Sequence, residues 1–160
     1  MSPPMARASG PCETESMRVY IPATPADLAS CLTGAWEPRA GFAVTERLLE
    51  VSSLDDSDLL DEQARDAAAL SSVADLGSPR RVVIVADCDR AQVTPAPQRH
   101  PAAVELSGKV ARDELACAFV DEDDAAEDAA AAATGDAAAL DRLYERDLLW
   151  YDAGEFEGLA

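Results

Sequence analysis

Residues 17–28 read MRVYIPATPADL and place a strand directly ahead of a capped helix. Met17, Val19 and Ile21 alternate with Arg18 and Tyr20, the period-two pattern of a strand with one buried face. Pro22 lacks the N–H a ladder needs and is expected to end the pairing. Thr24 then stands at an N-cap, where its hydroxyl accepts from an otherwise orphaned backbone N–H. Pro25 suits the first helical position. Asp27, three residues after Thr24, suits a capping box and the positive end of the helix dipole. Gly34 supplies the stop. An α/β unit therefore begins at Met17.

Outward from that stretch, residues 41–45 (GFAVT) read as a short strand, and residues 46–51 either continue it or begin a helical turn. Asp55, Asp56, Ser57 and Asp58 precede a helix that runs to about Leu76, with an apolar stripe of Leu60, Ala64, Ala67, Leu70 and Ala74. Gly77, Ser78 and Pro79 end it. Residues 82–86 (VVIVA) are continuously apolar and β-branched, which predicts a central strand covered on both faces. Residues 91–101 carry Pro95, Pro97 and Pro101 and read as an irregular loop. Val104, Leu106 and Val110 alternate with Glu105, Ser107 and Lys109, a strand with one wet face, and residues 115–120 form a second buried run. The short connection between these two strands predicts a mixed sheet rather than a parallel one. An alanine-rich helix follows, opened by six acidic residues within 121–128 and broken at Thr134, Gly135 and Asp136. A further helix carries Leu140, Leu143 and Tyr144, and residues 148–151 (LLWY) form a last strand before a short terminal helix. The expected fold class is α/β, with α+β the neighbouring option: one mixed sheet of about five to six strands packed by helices.

The chain has 160 residues, enough for one domain with a core of its own, here expected over residues 17–160. Residues 1–16, with Pro, Ser and Glu and no apolar centre, are expected to be disordered and show no signal peptide, and Met17 is an alternative start. No apolar run reaches the roughly 18 residues of a membrane span. The net charge is −18, from 31 acidic and 13 basic residues, with Lys109 the sole lysine. Such a surface repels phosphate backbones and excludes nucleic acid as the partner, whereas a basic protein is compatible. The four cysteines, Cys12, Cys31, Cys88 and Cys117, stand at no metal-ligand spacing and read as free thiols of a reducing cytoplasm.

The residues MRVYIPAT at 17–24, GFAVT at 41–45, RRVV at 80–83 and LLWY at 148–151 resemble a family of small acidic actinobacterial proteins defined only as a domain of unknown function. The resemblance spans about residues 17–159. It implies a cytoplasmic α/β domain and brings no catalytic or binding residue with it.

Two functional readings follow from the residues. Were the strands parallel, the carboxyl ends at Asp87, Asp89 and Asp121 would converge on one edge, and three carboxylates with open water positions suit Mg²⁺ and, through it, a phosphorylated or carboxylated small molecule. The same acidic residues also serve as helix caps. Nucleophilic catalysis lacks its parts. His100 is the only histidine, no Gly-x-Ser-x-Gly elbow exists, and carboxylates beside Cys88 raise a thiol pKa. The aromatic group Trp150, Tyr151 and Phe156 is the other candidate, since aromatic anchors dominate interfaces, although a small domain also needs such side chains in its core. The favoured expectation is a non-catalytic protein-binding or regulatory module with an acidic surface and no cofactor, and the alternative is the Mg²⁺-assisted enzyme.

Overall fold

The computed structural model describes residues 16–51 and 57–159. The expected disorder of residues 1–16 lies outside these, except for Ser16, which belongs to the first strand; Asp55 and Asp56 also lie outside. Seven strands form one sheet: β1 (Ser16–Ala23), β2 (Ala40–Phe42), β3 (Val82–Asp89), β4 (Val93–Pro95), β5 (Ala103–Leu106), β6 (Leu115–Val120) and β7 (Leu149–Asp152). Their spatial order is β4-β5-β2-β1-β3-β6-β7. Every pair is antiparallel. The sheet is thus larger than the expected five to six strands and is not mixed. The helices are α1 (Pro25–Leu32), α2 (Glu46–Val51), α3 (Ser57–Ala74), α4 (Ala126–Ala133), α5 (Ala137–Tyr144) and α6 (Phe156–Leu159).

Strand β1 runs two residues further than its proline suggested. Pro22 pairs with Val83, and the ladder to β3 ends only at Ala23↔Val82. A proline is tolerated where its nitrogen faces away from a continuing ladder. On the β2 side the pairing is confined to Tyr20↔Phe42. At the helix start, the Asp27 carboxylate accepts from both the Thr24 N–H (2.9 Å) and the Thr24 hydroxyl (3.2 Å), so the threonine side chain donates here rather than accepts. Gly34, at φ +71°, lets the chain leave α1 in the left-handed region.

The reading of residues 91–101 as irregular is corrected in part. A 3₁₀ turn (Arg90–Gln92) leads into β4, which pairs with β5 at the sheet margin and ends at Pro95. A proline at an edge blocks further strand addition. The two strands of residues 102–120 are not partners. Strand β5 lies between β2 and β4, whereas β6 lies between β3 and β7. Residues 112–114 form a 3₁₀ turn between them.

Strand β3 is central and buried on both faces, as its unbroken apolar run predicts. On one face, Val19, Ile21, Val82, Ile84, Ala118 and Val120 pack with Leu28 and Cys31 of α1, Trp36 and Phe156. On the other, Tyr20, Val83, Val85 and Cys117 pack with Leu60, Ala64, Ala68 and Ala69 of α3. The buried face of α3 is therefore rotated from the expected stripe: Ala68, Ala69 and Val73 are buried, and Ala74 is exposed. Val73 packs with Ala125, Ala129 and Leu143 of the α4–α5 layer.

A polar cluster closes one end of the sheet. Ser72 Oγ donates to the Ala23 carbonyl (2.6 Å) and accepts from the Val82 N–H (3.1 Å), so α3 joins the end of β1 to the start of β3. Beside it, Arg81 and Asp121 form a buried ion pair, with Nη2–Oδ1 at 2.7 Å and the Arg81 N–H on Oδ2 at 2.8 Å. The side chains are 6% and 0% exposed. Arg81 also donates to the Arg146 carbonyl at 3.2 Å.

Two outcomes are expected. Asp121→Ala strands a buried guanidinium and lowers unfolding free energy by about 3–5 kcal/mol in urea titrations, whereas the double variant Arg81→Met/Asp121→Leu recovers most of that loss. A Cβ at Gly41 would lie 2.7 Å from Val19 Cγ1 and 3.3 Å from the Tyr20 carbonyl oxygen. Gly41→Ala is accordingly expected to cost about 1–3 kcal/mol in the same assay.

Candidate functional surfaces

In an antiparallel sheet the carboxyl ends of neighbouring strands alternate between the two ends of the sheet. Val82 pairs with Val120 and Ala86 with Leu115, so Asp121 sits beside the start of β3, while Asp87 and Asp89 sit at its end. The expected convergence of the three carboxylates does not occur. Each has a local structural partner instead. Asp87 takes a two-pronged ion pair from Arg18 (3.0 and 3.1 Å), Asp89 accepts from the Ala91 N–H (3.0 Å), and Asp121 holds Arg81. Among the described residues no group of three or more His, Cys, Asp or Glu side chains is placed to hold a metal ion.

The three C-terminal aromatics also part company. Phe156 is fully buried in the core against α1, and Tyr151 is half-buried against the same cluster. Trp150 stands on the other face of β7, opposite Phe119, and is 57% exposed. Strand β7 ends the sheet, with β6 its only partner among the described residues. Leu149 is exposed beside it in the chain, and the segment carries the exposed acids Glu145, Asp147 and Asp152. On the same face as Trp150, the Arg65 guanidinium lies over the Phe119 ring at 5.2 Å.

A cleft of about 590 Å³ opens on the α3 face at the opposite side of the sheet, above β2 and β5. Its apolar lining comes from Phe42, Ala67, Leu70 and Ala103, and its polar lining includes Ser71, Arg99, His100 and Tyr144. The His100 ring stands edge-on to Phe42, with centroids 5.5 Å apart at 87°. Its Nδ1 accepts the Ala102 N–H at 3.0 Å, which leaves the proton of the neutral ring on Nε2. The proline-rich stretch 91–101 predicts only a loop at Arg99 and His100, and the period of α3 places Ala67 and Leu70 in its core stripe, because periodicity registers an apolar face without registering what covers it.

The buried thiols are held as acids. Burial, followed by the charge of Asp27, pushes Cys31 from its ordinary 9.0 up to about 12. Burial, then Glu114 and Asp87, pushes Cys88 up to about 11. Cys117 is raised by burial as well. The Tyr20 phenol is raised in the same sense by burial and by Asp61. None of these groups is a nucleophile near neutrality.

All-antiparallel, seven-stranded and layered with helices on both faces, the fold defines an α+β domain. Residues 17–160 match the family of unknown function DUF6912, and the chain belongs to that family. No curated protein and no solved structure matches the chain. No helix among the described residues is long and apolar enough to cross a membrane.

With Cys12 replaced by serine, native thiols are expected to resist alkylation at pH 8 and to react fully in denaturant. Because the folded state raises these groups, their stabilising effect is complete below pH 9 and declines as pH climbs from 9 through the raised values. The urea midpoint should therefore fall between pH 9 and pH 11, and a flat or rising profile would contradict the burial of these groups.

Proposed function

We propose that this chain is a non-catalytic protein-binding module that receives an extended basic segment of a partner along β7. The observation that carries the reading is the placement of exposed Trp150 on a terminal strand flanked by Glu145, Asp147 and Asp152. An edge strand offers unpaired backbone donors and acceptors, so an added strand gains ladder hydrogen bonds, and alternate side chains of the guest reach Trp150. The charge of −18 favours a basic guest and disfavours pairing between two copies of the chain. The other margin, β4, terminates at Pro95 and is poorly suited to the same role. The Mg²⁺-assisted alternative loses its support, because its three carboxylates stand at opposite ends of β3 and already have partners.

Trp150 is a natural reporter, since Trp36 is buried. In a Trp36→Phe background, an extended peptide alternating Arg or Lys with apolar residues should shift Trp150 emission, and its acidic counterpart should not. Trp150→Ala should weaken peptide binding by about 2 kcal/mol or more. Molar salt, which shortens the Debye length to about 3 Å, should weaken it further. Equal binding of basic and acidic peptides, or binding indifferent to both salt and Trp150, would refute the reading.

A further inference from the structure

We propose that the cleft between α3 and the turn at residues 96–103 binds a small organic cation, a primary amine carried on a flat aromatic body. The cleft lies at the other side of the sheet from β7, and nothing in this inference rests on the peptide-binding reading.

Small side chains leave the room. Ala67 and Ala103 line a space of about 590 Å³, within the range of ligand clefts. Helix α3 thus carries two apolar faces. Leu60, Ala64, Ala68 and Val73 meet the sheet and the α4–α5 layer, whereas Ala67 and Leu70 line the cleft. Phe42, His100 and Tyr144 bring three rings to its walls. Aromatic rings pack against flat apolar bodies and attract cations to their faces, so this lining suits a ring joined to an ammonium group.

The charge of the walls selects the sign of the guest. Asp66 and Asp75 line the cleft against Arg99, and the groove that shares Ser71, Asp75 and Arg99 with it adds Asp27 and Glu37 against Arg39. Carboxylates therefore outnumber guanidiniums two to one along the whole opening. Asp75 forms no ion pair among the described residues. The Ser71 hydroxyl donates to its Oδ2 at 2.6 Å, which orients the carboxylate without cancelling its charge and leaves the serine oxygen able to accept. Asp66 reaches Arg65 at 3.4 Å, but that guanidinium also lies over the Phe119 ring. The field of Asp66 extends into the cleft: burial first, and then this carboxylate, raises the Tyr144 phenol on α5. An ammonium held by Asp75 and Ser71, with its ring on the floor of Phe42, Ala67 and Leu70, uses both the charge and the apolar surface of the site. Arg99 is the one like charge in the cleft, and it weakens the binding of such a guest.

The test is a titration of the full-length ¹⁵N-labelled chain with 2-phenylethylamine, neutral 2-phenylethanol and anionic 3-phenylpropionate, which share one ring. The amine should shift amide signals of residues 66–75 and 99–103 with saturation at millimolar concentration. The alcohol should bind about tenfold more weakly, as expected for loss of one charge-assisted contact, and the acid more weakly still. Asp75→Asn, which keeps an acceptor for Ser71, should weaken the amine about tenfold and leave the alcohol unchanged. Arg99→Gln should tighten the amine, because it removes a like charge. Glu157→Gln, at an exposed acid of α6, should leave the amine unchanged, which separates this site from the general attraction of a chain of charge −18. A blocked Gly-Lys-Gly peptide, a cation without a ring, should bind more weakly than the amine. All three substituted residues are exposed, so the variants retain the fold, and unchanged far-ultraviolet circular dichroism spectra verify that. Absence of saturable shifts, shifts located elsewhere, equal binding of amine and alcohol, tighter binding of the peptide, or equal losses from Glu157→Gln and Asp75→Asn would overturn the proposal.

Discussion

The Arg81–Asp121 pair is the constraint around which the rest is arranged. It joins the entry of β3 to the exit of β6, and through the Arg146 carbonyl it fixes the loop that carries the chain from α5 into β7. A pair this dry is tolerable because the buried carboxylate is fully engaged. The carboxylate takes a backbone N–H and three guanidinium contacts, and the Asp121 N–H returns to the Arg81 carbonyl at 3.0 Å. Its contribution is register as much as energy. A one-residue slip of β6 against β3 would turn Ala118 and Val120 to the wrong face and separate the ions.

From that register follows the separation of the acidic residues. Antiparallel neighbours send their carboxyl ends to opposite ends of the sheet, so Asp87 and Asp121 lie at opposite ends of β3. The acid-rich stretch after β6 opens helices without a side-chain cap and pairs with arginines instead: Asp123 with Arg80 at 2.8 Å, and Asp128 with Arg142 at 2.9 Å. At the flanks of the sheet, Trp150 is exposed on β7, and a cleft between α3 and β2 and β5 is lined by Asp66, Asp75 and Arg99 around an apolar floor of Phe42, Ala67, Leu70 and Ala103.

Several elements were legible in local chemistry. The strand at Val19 and Ile21, the Asp27 carboxylate at the start of α1, the Gly34 exit and the break between α4 and α5 are set within a few residues of chain, and each is found where the pattern placed it. The unbroken run at Val82 correctly announced burial on two faces. Pairing was not legible, because a strand's own alternation does not name its neighbour. Strands β5 and β6 are close in sequence yet lie on different sides of β1. The pattern of α3 was half legible: Leu60 and Ala64 are buried as expected, but Ala67 and Leu70 line a cleft, since nothing local distinguishes a covered apolar face from an open one.

The sequence by itself determined the alternation of strands and helices, the acidic character, and the continuous apolar runs that became the centre of the sheet. These are properties of composition and of spacing over a few residues. Only the tertiary structure decided that the sheet is wholly antiparallel, that Asp121 answers Arg81 across 40 residues, that Phe156 is core while Trp150 is surface, and that Arg39 and Arg99 border one groove. Each of these depends on which distant segments meet, and that is settled by the joint burial of all the apolar faces rather than by any segment alone.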